Sequence, residues 1–404
     1  MQPDRAAGEL PRAEVSLAVA VVDDPSLAAA IERQRGEWNA LTGGEYTVKP
    51  IGSVAGIDGH DLIVFPSAAM GALCEPSEGR DSAVLRPVRS GVLKLDLLRF
   101  SDFQPVVREV EVVYGQRVMA LPLGCATPLL VGGSSETLPA AVLSNDRVTL
   151  GLEYLAFAAP YAVHPSREAT LFDQETMRPR LDTPPFVRAM GDLVDAVERS
   201  KGRTAASRYT WPQRSAPAPD WLDAESISPP LGVAERYNPL AGVWEPVDRA
   251  DSAATLVASS GRLVGVAAVS RNAATAFRLA AWLAGVENAP AMAAASDGVA
   301  VCRGSFARSA DAWRADIDRA TARAFTAANA DALRRRRRLI APRLPGAKEY
   351  LAALGGRVQA AIDGEAVEDV LAGAVSDWDA ITDRLGRPQQ AAAYARSINA
   401  APLE

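Results

Sequence analysis

Buried-type apolar runs alternate with amphipathic stretches at the start of the chain. Leu17–Val22, Tyr46–Ile51 and Asp61–Phe65 are each predicted to form a strand. Asp24 and Pro25 have the pattern of a helix start after the first strand. A single apolar stripe then follows at Leu27, Ile31, Trp38 and Leu41. Strand, helix, strand, helix and strand in succession predict a βαβ unit with a parallel sheet.

Residues 118–131 contain two apolar runs separated by a break. Pro122, Gly124 and Pro128 lie in that break, so the chain is predicted to extend, jog and extend again. Two interpretations fit: a bulged edge strand within one domain, or a strand that passes from one domain to another. These residues alone favour the bulged edge strand.

The later chain returns to the α/β pattern after an irregular stretch. Residues 203–250 are rich in proline and aromatic residues and lack a period. Leu263–Val269 is then predicted to be a strand, with Asn272 capping a helix, and Val367–Leu385 has the apolar spacing of a helix. A length of 404 residues also favours more than one core. We therefore expect a first domain that a second domain interrupts, with residues 1–12 loose.

The charge pattern argues against nucleic-acid binding. The net charge is −6, and the run Arg334–Arg338 is interpreted as a solvated helix face. Cys74, Cys125 and Cys302 have no metal-ligand spacing, although one disulfide is possible. The chain has no stretch approaching the roughly 18 continuous apolar residues of a membrane helix. Its N-terminus lacks a signal peptide's apolar segment, so we expect either a cytosolic protein or one whose export signal has been removed.

Signals for catalysis are few. The two histidines, His60 and His164, lie in different segments without metal-ligand spacing, and neither a nucleophile elbow nor a phosphate loop occurs. We therefore expect no enzyme, no cofactor and no metal. A chain with aromatic-rich loops suits a neutral polar ligand, because aromatic faces stack on sugar rings while carboxylates and hydroxyls bind their OH groups.

Candidate ligand-binding residues lie at the predicted strand ends and on the aromatic loops. Asp23, Asp24 and Ser67 follow strands, where ligands of parallel sheets bind. A helix cap is the favoured role for Asp24 and an equal alternative for Ser67. The aromatic candidates, each alternatively a plug against the protein body, are Tyr209, Trp211, Tyr237 and Trp244. Cys125 and Thr127, in the stretch 118–131, are further candidates.

Four stretches resemble the extracellular solute-binding proteins of ABC importers, family 1, the maltodextrin-binding type. They are Val118–Val131, Leu263–Gly285, Ala341–Leu351 and Val367–Leu385. The resemblance implies an α/β, two-lobed periplasmic-binding-protein type II fold with a hinge of crossing segments. One lobe would comprise residues 13–123 plus 264–306, and the other residues 127–262 plus 310–404.

The resemblance also implies a function. The protein would close two lobes over a small solute, a carbohydrate, and present it to a membrane permease as a monomer in the periplasm or cell envelope, with lipid anchoring possible. Trp211, which precedes Pro212 as in some relatives, becomes the first sugar-stacking candidate, and Arg303 is expected to face the cleft. The alternatives are a sensor or scaffold that kept the fold without transport, and an enzyme on the same architecture.

Overall fold

The computed structural model describes residues 15–76, 82–131, 143–166, 169–200, 208–210, 227–296, 299–309 and 318–400. The prediction for Trp211 falls outside these ranges, and of Tyr209 only the backbone is described. None of the helices within these ranges is long and apolar enough to cross a membrane.

Fifteen strands occur in the described ranges. They are β1 Ser16–Val22, β2 Glu45–Ile51, β3 Leu62–Pro66, β4 Leu85–Arg86, β5 Val113–Tyr114, β6 Arg117–Val118, β7 Leu121–Ala126, β8 Leu129–Val131, β9 Arg208–Thr210, β10 Ile227–Ser228, β11 Glu235–Asn238, β12 Val243–Pro246, β13 Thr255–Val257, β14 Ser260–Ala267 and β15 Arg338–Ile340.

Thirteen α-helices accompany these strands in the same ranges. They are α1 Pro25–Arg33, α2 Arg35–Thr42, α3 Met70–Cys74, α4 Ser90–Leu93, α5 Arg147–Ala162, α6 Pro184–Ser200, α7 Arg249–Ser252, α8 Ala273–Leu283, α9 Ala289–Ala295, α10 Arg319–Leu333, α11 Ala347–Ile362, α12 Val367–Leu385 and α13 Arg387–Ser397.

The largest sheet has the strand order β2-β1-β3-β14-β4, with β7 beside β14. Strand β1 runs parallel to β2 and β3, which confirms the predicted βαβ unit, whereas β14 is antiparallel to β3. Strands β1 and β3 are nearly continuous apolar runs, as in sheets that are covered on both faces, whereas Glu45, Thr47 and Lys49 of β2 are exposed. The single helix predicted between β1 and β2 is wrong: α1 ends at Arg33, α2 begins at Arg35, and Leu41 is exposed.

Two hydrophobic cores divide the described chain. The first core extends from Leu17 to Cys125 and resumes at Val257, and the second begins at Ala126 and includes Leu256. The core changes within one peptide unit between residues 125 and 126 and between residues 256 and 257. Ala300 also belongs to the second core, although its neighbours Val299 and Val301 belong to the first.

Strands β7 and β8 make the first of these crossings. Strand β7 pairs with β14 in the large sheet, and β8 pairs with β9 and β10 in a separate sheet. The β7–β14 register shifts between Arg262 and Leu263, so the predicted jog is confirmed as a bulge followed by a crossing. The interpretation as an edge strand confined to one domain is wrong, because the chain continues into the second sheet.

The arginine run does not form a solvated helix face. Helix α10 ends at Leu333, and Arg338 begins β15, which lies parallel to β13. Leu339, the central residue of β15, is buried in the second core. The predicted helix surface is therefore wrong, because pairing with a distant strand draws this stretch into the structure.

Candidate functional site

A cavity of about 200 Å³ lies at the carboxyl ends of β1, β2 and β3. From the first core's side it is lined by Val22, Asp23, Gly52, Ser53, Val54, Pro66, Ala68, Ala69 and Ala72. From the second core's side it is lined by Leu344, Gly346, Ala347, Lys348 and Glu349, at the start of α11. Parallel sheets bind ligands at this edge, so the cavity is the candidate solute site.

Asp23 is held in an unusual conformation at the cavity wall. Its φ of 54° is in the left-handed region, which aspartate tolerates better than bulkier residues do. The Asp23 N–H donates to Ile51 O at 2.8 Å, which joins the ends of β1 and β2. Left-handed non-glycine residues cluster at functional sites, and Asp23 is the predicted residue that lines this cavity.

Lys348 connects the two sides of the cavity. Its Nζ lies 3.5 Å from Asp23 Oδ2, and the two side chains are 71% and 59% exposed. The adjacent Glu349 forms an ion pair with Arg384. The cavity therefore presents an ammonium group and carboxylates to a ligand, together with the hydroxyl-bearing Ser53.

Asp24 caps helix α1, which is the role favoured by its sequence position, and its side chain also binds two groups from later in the chain. Its Oδ1 accepts from Leu27 N at 3.0 Å and caps α1, and its Oδ2 accepts from Arg262 Nε at 3.0 Å and from the Ser296 hydroxyl. The side chain is 5% exposed. Because several donors occupy both carboxylate oxygens, Asp24 fixes β1, α1 and β14 behind the cavity.

Ser67 lies beneath the cavity, beside a buried carboxyl group. It is 2% exposed and adjoins Glu111. Burial raises the pKa of Glu111, while the Ala258 N–H at 2.6 Å, the Arg343 charge and the Ser67 hydroxyl oppose the rise. Ser67 does not line the cavity, and its neighbours indicate a role within the protein interior.

Arg343 is fully buried between the two cores. Its guanidinium donates to the carbonyl oxygens of Val110 at 2.7 Å, Val113 at 2.8 Å and Ser397 at 2.9 Å. Burial lowers the pKa of Arg343, and Glu111 opposes this shift. Carbonyl dipoles and one carboxyl group thus compensate the buried charge.

Cys125 and Thr127 lie at the first crossing and are completely buried. Asn329 of α10 spans them: its Oδ1 accepts from Thr127 N at 3.0 Å, and its Nδ2 donates to Cys125 O at 3.3 Å. The neighbouring Cys302 thiol and burial raise the pKa of the Cys125 thiol. Both predicted residues therefore belong to the crossing and not to the cavity wall.

Arg303 does not face the cleft. It is 1% exposed, and its guanidinium donates to the carbonyl oxygens of Leu98 at 2.9 Å, Arg99 at 3.3 Å and Ala284. The Arg303 Cζ also lies 3.7 Å from the centre of the Phe103 ring. Burial lowers the pKa of Arg303. Its hydrogen bonds join separate backbone segments within the first core.

Tyr237 and Trp244 pack against each other across the β11–β12 hairpin, with ring centres 5.6 Å apart. Arg188 Cζ lies 4.6 Å from the Trp244 ring centre. Neither aromatic residue lines the candidate cavity, and among its described lining residues none is aromatic.

Sequence reasoning did not single out Ser53, Lys348 or Glu349. Lys348 and Glu349 lie in the stretch Ala341–Leu351, one of the four that resemble the solute-binding family. The glycine–helix start of this stretch, Gly346 followed by α11, provides the second wall of the cavity.

The fold is that of two-lobed periplasmic-binding proteins of type II, with a mixed α/β architecture and crossing segments between the lobes. No family model matches the sequence, and no curated protein matches it.

Solved structures provide the similarity. The sugar-binding protein MalE from Xanthomonas citri superposes with a TM-score of 0.63 at 12% identity, covering 91% of this chain and 98% of that one. An ABC-transporter solute-binding protein from Agrobacterium radiobacter K84, in complex with ribitol, gives 0.60 at 16% identity and covers 92% and 100%. A solute-binding protein from Agrobacterium vitis S4 with bound D-mannitol gives 0.54 at 13% identity and covers 92% and 99%.

Proposed function

We propose that this protein is the solute-binding component of an ABC import system and closes its two lobes over a small polyhydroxy solute, a carbohydrate or a polyol. The observation that carries the proposal is the cavity at the carboxyl ends of β1, β2 and β3, whose other wall is the start of α11 from the second core. A solute there would touch both lobes. The structural neighbours support the proposal, because they include a sugar-binding protein and solute-binding proteins with bound ribitol and D-mannitol.

The cavity favours a small solute over an oligosaccharide. Its volume of about 200 Å³ lies below the roughly 300–1,000 Å³ of pockets for drug-sized ligands. Asp23, Lys348 and Ser53 provide acceptors and donors for hydroxyl groups, whereas the described lining residues provide no aromatic face. These features support a polyol or a monosaccharide. Trp211 remains a predicted stacking residue that lies outside the described chain.

The lobes we propose follow those predicted from the sequence, residues 13–123 plus 264–306 and residues 127–262 plus 310–404, with one boundary moved. The change of core at 125/126 supports the first boundary. The second boundary moves from 262 to 256/257, because the core changes there and β14, Ser260–Ala267, lies in the large sheet. Solute binding would shift the population towards the closed form through contacts made only there. We further propose that the protein is a monomer located in the cell envelope. It delivers the solute to a membrane permease and carries out no enzymatic turnover.

A thermal-shift screen tests this function. Ribitol, D-mannitol, monosaccharides and maltose are each titrated, because a ligand that binds the native state raises the melting temperature. We expect a saturable shift with a polyol or monosaccharide and none with maltose. A folded protein that responds to no member of the screen would contradict the proposal and favour the sensor or scaffold alternative.

Two matched pairs of variants locate the binding. Asp23→Asn and Lys348→Ala are expected to weaken the responding ligand by about tenfold, the loss of one good polar contact. Asp58→Asn and Lys49→Ala change the same residue types at exposed positions outside the cavity and are expected to bind normally. Equal affinities in all four variants would place the solute elsewhere.

A further inference from the structure

A second cavity, of about 490 Å³, is lined by the end of the arginine run. Arg336, Arg337 and Arg338 contribute to its wall. The remaining described lining residues are Glu109, Val110, Val163, His164, Pro165, Thr170, Leu171, Leu339, Ile340, Tyr394, Ile398 and Asn399. This cavity shares no lining residue with the candidate solute site.

Positive charge exceeds negative charge in this cavity. Glu109 is the only carboxylate among the described lining residues. Its Oε2 lies 3.8 Å from Arg338 Nη1, and the two side chains are 58% and 32% exposed, so the pair is long and solvated and contributes about 0–1 kcal/mol. The surplus is local, because the whole chain carries a net charge of −6.

Two of the arginines keep unused donors. Arg336 is exposed and has no ion-pair partner among the described residues. Arg337 has a buried Nη1 without a hydrogen-bond partner. Guanidinium groups present several N–H donors in a fixed planar arrangement that matches carboxylate and phosphate oxygens.

Polar and apolar groups from both cores complete the wall. Val110 belongs to the first core, and Leu171, Leu339 and Tyr394 belong to the second. Thr170 and Asn399 add further polar side chains. A mainly preformed pocket that combines apolar walls with a few convergent charged groups has the composition of a ligand site.

We propose that this arginine-lined cavity is a second ligand site, separate from the solute cleft, for a small organic anion that carries carboxylate or phosphate oxygens. The guanidinium groups of Arg336, Arg337 and Arg338 bind the oxygens, and the apolar residues of both cores enclose the rest of the ligand. The proposed solute-binding function does not account for the arginine run. This assignment gives the run a role in binding.

Calorimetric titration with citrate and with inorganic phosphate, at constant ionic strength, tests the site on the full chain. The two anions separate the possible sources: saturable binding of citrate alone assigns polycarboxylates, and saturable binding of phosphate assigns phosphate-bearing ligands. Either result supports the proposal. Failure of both anions to bind would overturn it.

Two double variants distinguish specific binding in the cavity from non-specific attraction of anions to positively charged residues. Arg336→Gln combined with Arg338→Gln is expected to weaken binding by about tenfold or more. Arg33→Gln combined with Arg323→Gln removes the same charge at exposed positions outside the cavity and is expected to leave the affinity unchanged. Equal losses in the two double variants would overturn the proposal. If the first double variant does not fold, the single Arg336→Gln variant takes its place, because Arg336 is exposed and its replacement does not disturb the interior.

Discussion

Replacement of Asn329 by alanine tests the crossing between the two cores. The Asn329 side chain pairs with Thr127 N at 3.0 Å and with Cys125 O at 3.3 Å, and all three residues are buried. The substitution would leave a buried N–H and a buried carbonyl oxygen unpaired. Each such group costs about 1–3 kcal/mol, so Asn329→Ala is expected to lower the free energy of unfolding by about 2–6 kcal/mol.

Urea unfolding measures this loss directly, with the slope of the transition used to verify that the same surface unfolds. Asn39→Ala is the matched control, because Asn39 is exposed and its amide donates only to Gly44 O at 3.3 Å. We expect the control to change stability by less than about 0.5 kcal/mol. A loss in Asn329→Ala no larger than in the control would refute the reasoning that this side chain satisfies the crossing strand.

Two further predictions concern the protein interior around Arg343. Gly71→Ala would place a Cβ 2.3 Å from Arg343 O and 2.6 Å from Leu344 Cα, so thermal unfolding should reveal a loss of about 1–3 kcal/mol; Gly36→Ala, which meets nothing within 4 Å, should show none. Burial raises the pKa of Glu111 above its ordinary 4.5, so the folded state holds this proton more tightly than the unfolded chain does. Its stabilising contribution is therefore present below about pH 4.5 and lost as the pH rises through the folded pKa. Glu111→Gln should flatten this part of the curve of unfolding free energy against pH, measured by urea unfolding. Parallel curves for the wild-type protein and the variant would show that Glu111 does not cause this pH dependence.

Strands β1, β2, β3 and β14 of the large sheet could be predicted because their signals are local, whereas the two-residue strand β4 was not predicted. Buried parallel strands are continuous apolar runs, and Asp24 with Pro25 marks a helix start by its own side-chain chemistry. The crossing at residues 118–131 was open between two interpretations. What decides it is the pairing of β7 with β14 and of β8 with β10, which depends on residues about a hundred positions away.

The candidate site was less predictable, because burial and partners are tertiary properties. Arg303 was expected in the cleft, yet three carbonyl oxygens and the Phe103 ring make its burial tolerable. Arg334–Arg338 has a composition that suits a helix surface, and only the parallel pairing of β15 with β13 makes part of it a strand. Lys348 and Asp23 are 325 positions apart in the chain, and no local pattern reports that they share a cavity.

The contacts across the candidate cavity bear on how it closes. The Lys348–Asp23 pair joins the two sides at 3.5 Å, but both side chains are more than half exposed, and such pairs contribute about 0–1 kcal/mol. That energy is too small to hold one closed arrangement against thermal motion, since 1.4 kcal/mol corresponds to about a tenfold change in population. A solute whose hydroxyl groups bind Asp23 and Lys348 together would add contacts that exist only when both walls are near. The ion pair alone therefore does not fix a closed arrangement, and in the proposed function it orients the two groups that receive the solute.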